Sequence, residues 1–165
     1  MANVELRKIT PDNEDAVVWE MTLEDNQQDF VATNAESLAQ AYVQLTNGGF
    51  VQPWAIYADG VPVGFIMYNY VIDDDEDAWP NNNYYIWRLL IDKEHQGKGY
   101  GKAAVALVVA EVRAKLPAEP ADYIYMSYVP GNTATIKTFA ANGFELTDIH
   151  YADPAETEKV MRLPI

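Results

Sequence analysis

At 165 residues, with 49% apolar and 12% aromatic content, the chain has the make-up of one domain around a hydrophobic core, and its composition leaves no case for disorder. It has no cysteine and only two histidines, His95 and His150, so disulfides, thiolate metal sites and a cysteine nucleophile are excluded, and a histidine metal centre or a serine triad is not expected. The formal net charge of −14 repels nucleic-acid phosphates and concentrates cations, so a small basic molecule is the expected partner and nucleic acid is not.

No apolar run reaches the roughly 18 residues of a membrane span. Met1-Ala2-Asn3-Val4-Glu5 carries neither a basic patch nor an apolar signal core, so a cytoplasmic location is expected, without membrane attachment. Val4-Glu5-Leu6-Arg7-Lys8-Ile9 alternates as a first strand, and Thr10-Pro11-Asp12 offers an N-cap, a proline and an acid to a following helix. A polar acidic stretch, Glu24-Asp25-Asn26-Gln27-Gln28-Asp29, separates this helix from a second over Glu36 to Leu45, which Asn47-Gly48-Gly49 ends. Trp54 to Ala58 and Val61 to Val71 flank Asp59-Gly60 and read as an antiparallel hairpin. An acidic loop, Asp73-Asp74-Asp75-Glu76-Asp77 and onward to Asn83, comes after it.

Tyr84 to Ile91 reads as the next strand, and Gly101 to Leu116 as an apolar helix closed by Pro117. Asp122 to Val129 is a further strand, Thr133 to Asn142 a short helix stopped by Gly143, and Phe144 to Tyr151 with Val160 to Leu163 a terminal strand pair. The sum is a mixed α/β chain without internal repeats, expected to form a single domain over 1–165.

Between strand and helix lies Gln96-Gly97-Lys98-Gly99-Tyr100-Gly101. Its three glycines let the backbone pass close to an anion, and the first N–H groups of the next helix have no intrahelical acceptor, so the turn can cradle a pyrophosphate. Neither the G-x-x-x-x-G-K-[ST] loop nor the G-x-G-x-x-G dinucleotide pattern is present. The turn instead resembles the Q/R-x-x-G-x-G/A motif of the GNAT-type N-acetyltransferases. Asn132-Thr133-Ala134-Thr135-Ile136-Lys137-Thr138-Phe139-Ala140-Ala141-Asn142-Gly143-Phe144 is similar to that family's N-x-x-A-I-x-x-Y-x-x-x-G-F segment. Gln27 to Asn34, the acidic loop, and Ile91 to Gly99 further resemble the bacterial enzymes of this family that acetylate spermine, spermidine and diamines.

The resemblance implies a central, mostly antiparallel sheet flanked by helices, and acetyl-CoA as cosubstrate. Backbone groups of Leu89 and Ile91 would pair with the pantetheine arm, and N–H groups around Leu90 would polarise the thioester carbonyl. Gln96, Gly97, Lys98, Gly99, Tyr100, Gly101 and Lys102 would hold the pyrophosphate, with Asn132 and Phe139 at the second motif. Relatives of this type commonly pair, so the resemblance also allows a homodimer.

Acetyl transfer from a thioester to an amine needs a neutral amine, a donor for the developing oxyanion and a proton for the leaving thiolate. The family's tyrosine position is Phe139 here, which has no proton to give; Tyr128, at the end of the preceding strand, is the substitute candidate. An alkyl amine with a pKa of about 10.4 arrives protonated, so Glu24 and Asp25 are candidates for holding or deprotonating it. Asp73 and Asp75 in the acidic run are candidates for the distal ammonium groups, helped by cation–π contact with Trp79, Tyr84 or Trp87. His95 and His150 are read as a surface and a packing residue. Other acceptors compatible with the motifs are a protein N-terminus or lysine, an aminoglycoside or an amino acid, and the loss of the tyrosine also admits a non-catalytic acyl-CoA sensor.

Overall fold

The computed structural model describes residues 2–71, 81–116, 118–150 and 158–165. One seven-stranded sheet runs through them, comprising β1 (Val4–Arg7), β2 (Phe50–Ala58), β3 (Val61–Val71), β4 (Asn83–Ile91), β5 (Tyr123–Tyr128), β6 (Glu145–His150) and β7 (Lys159–Pro164). Their order across the sheet is β1-β2-β3-β4-β5-β7-β6. Neighbours are antiparallel except β4 and β5, which run parallel. Three helices accompany them: α1 (Asn34–Thr46), α2 (Tyr100–Lys115) and α3 (Thr133–Ala140).

Local sequence explains most of these elements. Asp59 and Gly60 both take positive φ, the geometry of a type I′ turn, which matches the twist of the hairpin strands β2 and β3. Thr33 and Glu36 form a reciprocal capping box at the start of α1, and Gly48, at φ 85°, comes just after its last turn. Where a helix is expected after Thr10-Pro11-Asp12, the chain makes only one short π-type turn, Asp15–Glu20. Thr10 does not cap it: the Asn13 side chain accepts from the Thr10 N–H at 2.8 Å and ties the segment back on itself. The acidic stretch beyond is a short 3-10 helix, Asp25–Phe30.

The sheet is covered on both faces. Ala104, Val105, Val108, Val109 and Val112 of α2 and Phe139 of α3 bury against one face, with Ile66, Tyr68, Tyr84 and Ile124 of the strands. Val17 of the π turn and Ala41 of α1 cover the other, over Val51, Ala55, Phe65 and Met67. Each fully buried valine contributes roughly 1.5 kcal/mol or more. Buried Asn34 joins the two elements on the second face by donating to the Val17 carbonyl at 2.7 Å. No helix among the described residues is long and apolar enough to cross a membrane.

Two irregularities in β4 shape the middle of the sheet. Met67 faces Arg88 and Tyr68 faces Ile86, so Trp87 is an extra, bulged residue. The parallel pairing with β5 is confined to Tyr84 with Ile124 and Tyr85 with Tyr125. Beyond that point the two strands no longer pair, and the sheet is open between them.

Candidate active site

The opening holds a cavity of about 350 Å³. Ile86, Trp87, Leu89, Leu90 and Ile91 line it from β4, and Met126, Ser127 and Tyr128 from β5. The register decides which backbone groups face it. The N–H of Asp92 donates to the carbonyl of Val63, at the point where β3 and β4 meet, so the backbone of Leu90 also turns toward β3. Leu89 and Ile91 therefore turn their N–H and C=O groups toward the opening. A strand edge of this kind offers hydrogen bonds to an amide-bearing ligand, as in strand addition. The thioester-polarising role expected of N–H groups around Leu90 does not suit Leu90 itself, whose own group points into the sheet.

Gln96, Gly97, Gly99, Tyr100, Gly101 and Lys102 line one end of the cavity. Gly97 and Gly99 stand at φ 75° and 81°, a left-handed conformation that costs other residues roughly 1–2 kcal/mol. Gly99 is the N-cap of α2 and has no side chain to cap it; the first intrahelical bond runs from Ala103 to Gly99. The N–H groups of Tyr100, Gly101 and Lys102 therefore meet the cavity at the positive end of the helix dipole. A Cβ on Gly101 would lie 3.5 Å from Ile91 and 3.6 Å from Thr138, ordinary van der Waals distances, so α2, β4 and α3 meet here.

The lysines divide differently from expectation. Lys98 is exposed, lies outside the lining and donates to the Glu94 carbonyl at 3.0 Å. Lys102 lines the cavity, and so does Lys137 of α3, which sequence reasoning did not single out. Lys137 sits inside the second motif, one turn after the helix start. Asn132 lines the cavity too and accepts the Thr135 N–H at 3.2 Å, capping α3. Phe139 is 1% exposed and packs edge-on against Phe144 at 5.0 Å, so it closes the cavity floor as a core side chain. Tyr128 is half-buried and lines the same space.

A further part of the wall is built from Leu23, Gln27, Phe30 and Val31. Three residues per turn put Gln27 and Phe30 on one face of the 3-10 helix, toward the cavity. Glu24 and Asp25 fall on the outer side: both are exposed and neither lines the cavity. Among the described lining residues there is no carboxylate at all. Asp73, Asp75 and Trp79 lie outside the described residues. Tyr84 offers no face to a ligand, since it is fully buried and donates its hydroxyl to Glu119. Trp87 does line the cavity, because the bulge at its position re-aims the strand. His95, expected on the surface, is half-buried and lines it as well.

This side is tied to the glycine turn. Gln27 and Gln96 exchange amide hydrogen bonds of 3.1 and 2.8 Å, and Gln96 Nε2 also donates to the Ile91 carbonyl at 3.0 Å. Thr22 donates its N–H to Asp92 Oδ1 at 2.9 Å, and its carbonyl accepts from the Lys93 N–H at 2.8 Å. The available signal for Gln27 and Phe30 was their three-residue spacing within an otherwise polar stretch.

The glycine turn at the start of α2, an open strand edge and a wall that includes Leu23, Gln27, Phe30 and Val31 thus share one cavity. Two curated proteins are similar over 87% of this chain and 88% of their own length. They are the probable spermine N(1)-acetyltransferase of Bacillus subtilis subsp. natto (strain BEST195), 27% identical, and the spermine/spermidine N(1)-acetyltransferase of Bacillus subtilis (strain 168), 26% identical. Among solved structures, Mycobacterium smegmatis RimJ in complex with CoA-disulfide superposes with a TM-score of 0.71 at 14% identity, over 98% of this chain and 81% of that one. The aminoglycoside acetyltransferase AAC(6')-Ib in complex with coenzyme A does so with a TM-score of 0.71 at 20% identity, over 98% and 95%. The sequence profile of the acetyltransferase (GNAT) family matches residues 18–144, from within the π turn through the splayed strands and the glycine turn to beyond α3, and the chain belongs to that family.

Proposed function

We propose that this acetyltransferase moves an acetyl group from acetyl-CoA to a primary amine of a small polycation, with spermine, spermidine or a diamine as acceptor. The observation that carries the donor half is the coincidence of the open edge at Leu89 and Ile91 with the uncapped start of α2 in one cavity. Pantetheine amides suit the first and a pyrophosphate the second. Lys102 and Lys137 supply positive charge there against a chain of net charge −14. The acceptor half rests on the spermine and spermidine named for the two Bacillus relatives, and on that same charge, which concentrates polycations.

In the reaction the amine nitrogen attacks the thioester carbonyl carbon, the C–S bond breaks, the nitrogen gives up a proton and the thiolate takes one. Backbone N–H groups of the bulged stretch of β4 face the developing oxyanion. Leu23, Phe30, Val31 and Trp87 form a weakly hydrated wall that favours the neutral amine over the ammonium. With no carboxylate among the described lining residues, the departing proton leaves through water; Glu24 and Asp25 act from outside by attracting the cation. Asp73 and Asp75 are assigned the distal ammonium groups. Tyr128 protonates the thiolate, the work Phe139 cannot do. A thiol leaving group with a pKa near 8.5 makes that assistance useful rather than indispensable.

The test is free-thiol release from acetyl-CoA with spermine, spermidine, putrescine, a monoamine and an aminoglycoside. Preference for the polyamines is expected. Turnover confined to the aminoglycoside, or equal rates with the monoamine, would overturn the acceptor assignment.

A further inference from the structure

We infer that Gln27 is a positioning residue for the donor site, acting through Gln96 from the adjoining 3-10 helix. This rests on the reading that the glycine turn binds CoA. A primary amide has two N–H donors and one carbonyl acceptor. Gln96 commits both donors, one to the Ile91 carbonyl at 3.0 Å and one to Gln27 at 2.8 Å, and its oxygen accepts from Gln27 at 3.1 Å. The bond to Ile91 ties the last residue of the open strand edge to the first residue of the glycine turn. Those are the two surfaces that a single ligand must bridge.

Gln27 fixes which way the Gln96 amide faces. Without it, Gln96 loses an acceptor for one N–H and a donor for its oxygen while half-buried, and its hold on Ile91 has to compete with other rotamers. The segment carrying Gln27 is itself anchored, because Thr22 is clasped by Asp92 and Lys93 on the same strand-to-helix connection. Asp92 and Gln96, four residues apart, thus fasten the acceptor-side segment at two points. By linkage, an acceptor that shifts the 3-10 helix changes donor affinity, and the donor changes acceptor affinity by the same factor.

Gln27→Met keeps the side-chain length and removes both amide bonds; Gln96→Met does the same from the other side. CoA affinity by calorimetry is expected to fall roughly five- to tenfold in each, the loss of about one hydrogen bond. The double variant is expected to bind no more weakly than Gln96→Met alone, with melting temperatures close to wild type. Gln27→Asn, one methylene too short to hold the pair, should repeat the pattern if Gln27→Met folds poorly. Additive losses in the double variant overturn the inference, as does a lowered melting temperature with unchanged CoA affinity. A wild-type chain that binds no CoA overturns the donor reading along with it.

Discussion

The two ends of α2 are built on opposite principles. At its C-terminal end Glu111 accepts from Trp54 Nε1 at 3.0 Å and from the Tyr68 hydroxyl at 2.8 Å, while Lys115 lies 4.0 Å from the same carboxylate and 4.6 Å from the Phe50 ring centroid. At its N-terminal end Gly99 leaves the first turn without a side-chain cap, facing a cavity. One end satisfies its polar groups inside the protein, and the other leaves them available to a ligand. Stability and function are thereby separated along one helix, and substitutions at each end should move different observables.

Gly64→Ala should breach that separation and have the largest effect. Its Cβ would fall 2.5 Å from the Leu90 carbonyl oxygen and 2.8 Å from Ile91 Cδ1, so β4 must shift. A loss of about 3 kcal/mol in chemical unfolding is expected, together with a raised KM for acetyl-CoA. Glu111→Leu should cost about 2 kcal/mol by leaving the Trp54 and Tyr68 donors without their acceptor, at unchanged KM for acetyl-CoA. Tyr128→Phe should do the converse: kcat roughly tenfold lower, about 1.4 kcal/mol in barrier, with unfolding unchanged.

The closed end also sets an alkaline limit. Burial, reinforced by the hydrogen bond to Glu111, raises the Tyr68 pKa far above its ordinary value of 10.0. A group that holds its proton more tightly when folded contributes stability that is present below pH 10 and lost as pH rises above it. Unfolding monitored above pH 10 should therefore be less steep in pH for Tyr68→Phe. The smallest effect is expected at the α1 cap, remote from both ends, where Thr33→Ala should cost about 1 kcal/mol in unfolding. The Thr33 hydroxyl and backbone N–H lower the Glu36 pKa, so this cap should weaken as pH falls below the ordinary glutamate value of 4.5.

The glycine turn, the proposed donor side, was legible because its chemistry is backbone chemistry. Positive-φ turns favour glycine, and Gly97 and Gly99, like Gly60 after Asp59 in the hairpin, mark such turns in the sequence itself. The proposed acceptor side depends on which way side chains point. Glu24 and Asp25 look like site residues but are exposed and outside the lining, Glu24 being an extended residue before the 3-10 helix, while Gln27 and Phe30, one turn apart within it, line the cavity. Lys98 and Lys137 exchange roles for a similar reason: the nearer lysine is drawn to a local carbonyl, and the sequence-distant one arrives on α3. The terminal strand pair was visible, but the insertion of β7 between β5 and β6 is a long-range arrangement with no local signature.

The short parallel pairing of β4 with β5 has a consequence beyond catalysis. A sheet that stops pairing in its own interior carries an edge that no neighbouring strand satisfies, where, among the described residues, only the Ile91 carbonyl is taken, by the Gln96 side chain. Under the proposed function, a donor bound along Leu89 and Ile91 would be a missing piece of secondary structure as well as a substrate. Occupancy should accordingly raise the melting temperature in proportion to the logarithm of CoA concentration. Under the proposed function, the abundance of the folded protein would then track the acetyl-CoA concentration around it.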